Sequence, residues 1–270
     1  MKNIELPPDP SLLESMREMG YTTEAAIADL IDNSITALAK NINIRFSWNN
    51  SDPWIALIDD GIGMNMKDLV KAMTLGSINP LKKRHKDDLG RFGLGLKTAS
   101  LSQTRSFIVI SKKDKFHSIA QWDLDSKNLK NESKWSINVL DLNELDTQSK
   151  KLYDDYLKFT KSGTIVYWNN IDRIDVGNIQ NKKEVKFDTV LNNVKNHLEL
   201  VFHRYLKPDI VSQKKINILF NKGPLYAYNP FFTEKSKELH KEEIQYKDSK
   251  ISIQPYVLPH HNKVSEDEWR

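Results

Sequence analysis

Only ten glycines serve this chain of 270 residues, and five of them stand in two short stretches. Asp59-Asp60-Gly61-Ile62-Gly63-Met64 follows an apolar run, 54–58, that reads as a buried strand. Gly90-Arg91-Phe92-Gly93-Leu94-Gly95-Leu96-Lys97 opens a segment that reads as a helix towards Leu101. Glycine permits positive φ and close backbone approach, and the free N–H groups of a helix start attract phosphate. A nucleotide site is therefore the first question, and its two commonest patterns both fail. A phosphate-binding loop of the Walker type needs Lys directly after its last Gly, whereas Leu96 separates Gly95 from Lys97. The dinucleotide pattern G-x-G-x-x-G meets Met66 after Gly61 and Gly63, and Thr98 after Gly93 and Gly95.

Periodicity supplies the elements around these stretches. Asp9-Pro10 opens a short helix that Gly20 stops, and Ile27, Leu30, Ile31, Ile35 and Leu38 make one apolar stripe on a helix over 23–40. Residues 42–48 alternate as a half-buried strand, and Asn65 caps a helix that runs through Met73. Breakers and a charge run make 74–89 a loop, with Lys82 to Lys86 read as solvated charge. Strands are expected over 104–111, 116–123, 136–140 and 163–168, with a helix in the second half of 141–161. A shift to Asn, Asp and Lys over 169–186 places a domain boundary, giving units 1–175 and 176–270. The second unit would hold a long amphipathic helix over 187–205, strands over 216–220 and 251–257, and no closing element, as a truncated segment would.

Composition narrows the class. The chain is 39% hydrophobic and 28% charged, enough apolar material for a core. A net charge of +4 is too small and too dispersed to argue for nucleic acid by itself. The absence of cysteine excludes disulfides, thiolate metal sites and cysteine nucleophiles, and suits a cytoplasmic location. No apolar run reaches the roughly 18 residues of a membrane span. The seven histidines form no metalloprotease pattern.

Upstream of both glycine stretches, Asp29 and Asn33 stand four apart on the second helix, so their side chains are neighbours. A carboxylate suits the activation of water, and an amide oxygen suits a hard cation such as Mg²⁺, which needs few protein ligands beside phosphates and water.

Four segments in this order, Asp29 to Ser34, Asp59 to Met64, Gly90 to Lys97 and Gly163-Thr164, resemble the motifs of the GHKL (Bergerat-fold) ATPases. The resemblance runs over about residues 7–168 and is nearest in look to MORC-like, heat-shock-chaperone-like and MutL-like members. It implies an α/β two-layer sandwich with a mixed, largely antiparallel sheet, followed by the start of a second, transducer-like α/β segment. It further implies that Asp59 accepts the adenine amino group while Gly61, Gly63 and Met64 lie close to the base. Asn33 would hold Mg²⁺. Gly90, Gly93, Leu94, Gly95 and Leu96 would wrap the phosphates, with Lys97 adding charge. Thr164 would support the adenine carboxylate, and 74–89 would be the ATP lid. Asp29 takes the place of the usual general-base Glu, one methylene shorter, which implies slow hydrolysis.

The function implied is Mg-dependent ATP binding with weak turnover, coupled to lid closure, homodimerisation and a DNA-related client or DNA-acting partner. A non-hydrolysing nucleotide switch and a sensor-kinase catalytic domain stay open as alternatives. Plainer readings also stay open for single residues: Lys97 as a carboxylate's partner, Thr164 as an ordinary strand residue, and Asp32 as a support for the sheet or a cap.

Overall fold

The computed structural model describes residues 9, 11–18, 20–76, 95–126, 135–174, 180–208, 214–247 and 249–265. Gly90, Gly93 and Leu94, most of the expected lid, and the residues around the expected boundary at 175/176 lie outside the described residues.

Helix α1 (Ser11–Arg17) precedes α2 (Thr23–Thr36), whose N-cap Thr22 accepts a bond from Ala25 N–H. Strands β1 (Asn41–Ser47) and β2 (Trp54–Asp59) pair antiparallel, and α3 (Met66–Met73) begins at its Asn65 cap. Then come α4 (Gly95–Gln103), β3 (Thr104–Lys113), β4 (Phe116–Asp123) and the two-residue β5 (Asn138–Val139). Helix α5 (Thr147–Leu152) runs on into a wider helical turn, Tyr153–Leu157, before β6 (Ser162–Ile171). The long α6 (Gln180–Val201) leads to β7 (Asn217–Phe220) and β8 (Gly223–Pro224). Two small sheets follow, β9 (Lys237–Glu238) with β12 (Tyr256–Val257), and β10 (Glu242–Tyr246) with β11 (Ser249–Ile253).

The main sheet has the order β5-β4-β3-β6-β2-β1-β7-β8. Its ladders are antiparallel except for β1 with β7. Alternate residues of a strand face opposite ways, and the buried residues divide accordingly. Ile42, Ile44, Ile55, Leu57, Phe107, Val109 and Trp168 face α2, α4 and α6. Ala56, Ile58, Ile108, Ile110 and Ile165 face the other way, where Leu152, Tyr153 and Leu157 cover them in part. This is the α/β sandwich with a mixed, mostly antiparallel sheet that the motifs imply.

Three local expectations shift. Helix α2 stops at Thr36 instead of reaching Lys40: Leu38 takes a left-handed φ of 63°, while Leu38 N–H bonds Ile35 O and Ala39 N–H bonds Ser34 O. That is a Schellman stop built without the usual Gly or Asn, so no sequence signal marked it. The expected strand 251–257 divides at Gln254-Pro255, since Pro has no N–H for a ladder. The helix expected over 187–205 breaks at Phe202 and leaves Val201, assigned to its apolar stripe, exposed.

The main core crosses the expected boundary at 175/176. Phe187, Leu191, Val194 and Leu198 of α6 are buried in the same cluster as α2 and the sheet, and β7 extends that sheet beside β1. Burying such side chains stabilises by about 2 kcal/mol each, so α6 is held by this core. Packing in this cluster continues to Leu225.

Candidate active site

Strand β2 ends in a buried acid. Asp59 shares a face with Ile55 and Leu57 and is 7% exposed. Register sets it opposite Thr164 of β6, and Thr164 opposite Ser111 of β3, so three polar side chains form a row across three strands. Ser34 of α2 donates its hydroxyl to Asp59 Oδ2 at 2.8 Å, and Gly61 N–H donates to Oδ1 at 2.9 Å. Thr164 Oγ1 and Ser111 Oγ share a bond at 3.0 Å, and Met64 N–H donates to Ser111 Oγ at 2.8 Å. Burial pushes the Asp59 carboxyl up to about 6, against the lowering effect of its Gly61 and Ser34 bonds. A carboxylate has about four acceptor positions, so a further N–H donor from a ligand can be read there.

The two glycines after Asp59 are required by the protein itself. A Cβ on Gly61 would lie 2.8 Å from Ala37 O, and one on Gly63 (φ 65°) would lie 1.9 Å from Lys112 O. Glycine here lets the loop close onto the end of α2 and onto β3, which holds Asp59 in place. Asp60 also works structurally. Burial opposes its ionised form, but N–H groups of Asn41 and Lys40 hold its carboxyl below the ordinary range and fix the start of β1.

Asp29 and Asn33 lie on α2, Asp29 half-buried and Asn33 exposed. Tyr21 Oη donates to Asp29 Oδ2 at 2.8 Å and is itself bonded by Thr98 of α4. Burial first, then the bond to Asp29, raises the Tyr21 phenol. Gly95, the first residue of α4, lies over the same carboxylate: a Cβ there would meet Asp29 Oδ2 at 3.5 Å. Asp29 is thus set beside the start of α4. Asp32 is pushed up to about 6, by burial and then by the negative charge of Asp29.

Lys97 and Leu96 turn inward. The Lys97 side chain is 1% exposed and donates from Nζ to Ala72 O at 2.9 Å, and burial lowers its ammonium to about 8. With Trp122 Nε1 on Met73 O at 3.0 Å, it satisfies carbonyls at the end of α3, where a cation also suits the helix dipole. Leu96 and Met64 pack against the core from partly buried positions. Tyr21, Ser34, Thr98 and Ser111 are the members of the site that the motifs did not single out. Ser34 lies inside the quoted Asp29 to Ser34 segment, whereas Ser111 reaches the site only through strand register.

An acid at a strand tip, a polar row behind it, and a helix carrying Asp29 and Asn33 against the start of α4 together describe a nucleotide-binding ATPase domain. Residues 21–164, more than half of the chain, match the profile of the family described as histidine kinase-, DNA gyrase B-, and HSP90-like ATPase, and the chain belongs to that family. Within it, the chain is similar to ATPase morc-1 of Caenorhabditis elegans, 36% identical over 90 residues, which is 33% of this chain and 10% of that protein. It is also similar to ATPase MORC2B of Mus musculus, 30% identical over 93 residues, 33% of this chain and 9% of that protein. The matched stretch spans about a tenth of the length of these curated relatives. Among the described residues, no helix is long and apolar enough to cross a membrane.

Proposed function

We propose that the pocket between β2, α2 and the start of α4 binds ATP with Mg²⁺ and hydrolyses it slowly. The observation that carries this reading is the buried Asp59, ordered by Ser34 and Gly61 with Thr164 and Ser111 beside it. Asp59 accepts the adenine amino hydrogen, and a guanine in its place leaves a buried acceptor unpaired. Thr164 and Ser111 fix the water and side-chain order around the base. Asn33, exposed one helical turn from Asp29, fits Mg²⁺: its amide oxygen is a hard ligand, and the cation's remaining ligands would come from phosphates and water. That cation supplies neutralisation of phosphate charge. The N–H groups at the start of α4 receive the phosphates, together with the glycines from Gly90 onwards. Asp29, held by Tyr21, takes a proton from the attacking water.

Lys97 ties α4 to the end of α3, where the expected lid begins, through one of its three ammonium N–H donors, and adds positive charge beside the phosphates. Closure of that lid over nucleotide, dimerisation of the closed form and action on DNA or a DNA-bound partner complete the proposal. The last step rests on the family resemblance alone. A cytoplasmic location suits a chain that lacks cysteine.

Thermal melting with ATP, ADP and GTP, with and without Mg²⁺, tests the site. ATP and ADP are expected to raise the melting temperature, GTP to leave it unchanged, and Asp59→Asn to abolish the adenine-dependent shift. A full shift in that variant overturns the adenine assignment. A non-hydrolysing switch is the second reading, favoured by the short reach of Asp29. Phosphate release at background level in both the parent and Asp29→Asn, under saturating Mg-ATP, would favour it.

A further inference from the structure

On the opposite face of the sheet from Asp59, and at its far end, lies a cavity of about 440 Å³. Arg45 and Ser47 enter it from β1, Trp54 from the start of β2, Gln148 and Lys151 from α5, and Lys222 from the turn between β7 and β8. Residues 54 and 59 are separated by five residues of strand, about 17 Å, so this cavity and the ATP pocket do not overlap.

Three cations against one acid leave the lining with a surplus of positive charge. Arg45 is half-buried, and neither it nor Lys151 nor Lys222 has a carboxylate or hydrogen-bond partner among the described residues; Asp155 is the single acid in the lining. A planar guanidinium with five N–H donors in a half-dry strand position fits a phosphate oxygen pair better than bulk water does. Two left-handed backbone stretches flank the cavity. Asn221 (φ 48°) and Lys222 (φ 86°) form a left-handed turn tied to β1 by Asn221 N–H on Ile44 O at 2.8 Å. On the other side Asn49, Asn50 and Ser51 have φ of 43°, 55° and 78° in succession. Such backbone costs free energy at each residue, and it sets Asn49 in the lining.

Acids close to the cavity limit what can enter. Asp146 and Asp52 both act on buried Tyr167, whose ring lies 6.2 Å from that of Trp54. A long polyanion would have to run past these carboxylates, whereas a compact anion meets three cations, Arg45, Lys151 and Lys222, against the one carboxylate of Asp155.

We propose that this cavity is a second binding site, for a compact phosphate-bearing ligand held by Arg45, Lys151 and Lys222. The phosphate is either free or carried by a mononucleotide.

The test titrates the full ¹⁵N-labelled chain with sodium phosphate and follows its tryptophan indole N–H resonances, with sodium chloride at matched ionic strength as control. The Trp54 resonance is expected to move saturably, while that of Trp168, bonded to Ser100 Oγ in the core, stays still. Arg45→Gln should weaken the response tenfold or more. Lys222→Gln, an exposed turn change that leaves folding untouched, should weaken it several-fold. AMP binding more tightly than phosphate would identify a mononucleotide as the ligand, and equal affinity the free anion; both support the site. Repeating the AMP titration in Asp59→Asn separates it from the ATP pocket, since the Trp54 response should persist there. A linear drift shared with chloride, or a response unchanged in Arg45→Gln and Lys222→Gln, would overturn the proposal. So would an Arg45-dependent response to oligothymidylate that is tighter than to AMP, because it would make the cavity part of a nucleic-acid track.

Discussion

Asp59 carries the adenine reading and also sets a pH signature. Its folded carboxyl titrates at about 6 against an ordinary 3.8, so between these values the unfolded chain holds fewer protons than the native one. Stability of the nucleotide-free fold therefore falls as pH rises from about 4 to about 6, by on the order of 3 kcal/mol at about 1.4 kcal/mol per pH unit. Asp32 acts in the same direction, while Asp60 and Glu14 act in the opposite one. The contribution of Asp59 is thus the difference in denaturant midpoint between the parent and Asp59→Asn, followed from pH 4.5 to 7. Tyr21 gives a second prediction at this scale. Tyr21→Phe removes the donor that orients Asp29, and should lower phosphate release about tenfold while leaving ATP affinity and the melting temperature nearly unchanged. A parallel loss of ATP binding would instead make Tyr21 a part of the pocket wall. Glycine spacing and the Asp29–Asn33 interval exposed the acids in the sequence, because those signals are local. Tyr21 and Ser111 stayed hidden, since one reaches the site by a helix entry and the other by a ladder between strands far apart in the chain.

Among the elements, α2 shows best what periodicity can and cannot reveal. Its apolar stripe announced the helix and its buried face, with Ile27, Leu30, Ile31 and Ile35 in the core. Its stop did not show, because Leu38 occupies a left-handed position that usually carries Gly or Asn. Leu38 is 59% exposed, so little packing is lost on replacing it. Leu38→Gly should raise stability by about 0.5–1 kcal/mol, read from the urea midpoint. A loss of stability would mean that the leucine side chain contributes more than its backbone costs. The glycines at 61 and 63 carry the opposite lesson. They stood out as motif residues, yet what demands glycine at both is contact with Ala37 and Lys112.

For the whole molecule, the question is how much chain the ATPase domain needs. The profile match ends at Thr164, but the core takes in Phe187, Leu191, Val194, Leu198 and Ile218. Composition pointed to a boundary near 175 because Asn, Asp and Lys dominate the sequence there, and the partner strand of β1 cannot be seen from β1 itself. Leu198→Ala, at a fully buried position, should destabilise the domain by about 2–5 kcal/mol and lower the temperature at which nucleotide protection is seen. If α6 were a separate unit, the mutation would leave the nucleotide-linked transition in place.

The parallel ladder between β1 and β7 bears on how the protein is made. Asn217 Nδ2 bonds Asn41 Oδ1 across 176 residues of chain. A ribosome will have released Asn41 long before it synthesises the neighbour that covers this strand's edge. Until then the nascent chain has an open, hydrogen-bond-hungry border on its central sheet, the kind of surface that invites wrong pairing. A slow last step, in which this late strand closes the edge of β1, is the expected consequence for folding during translation.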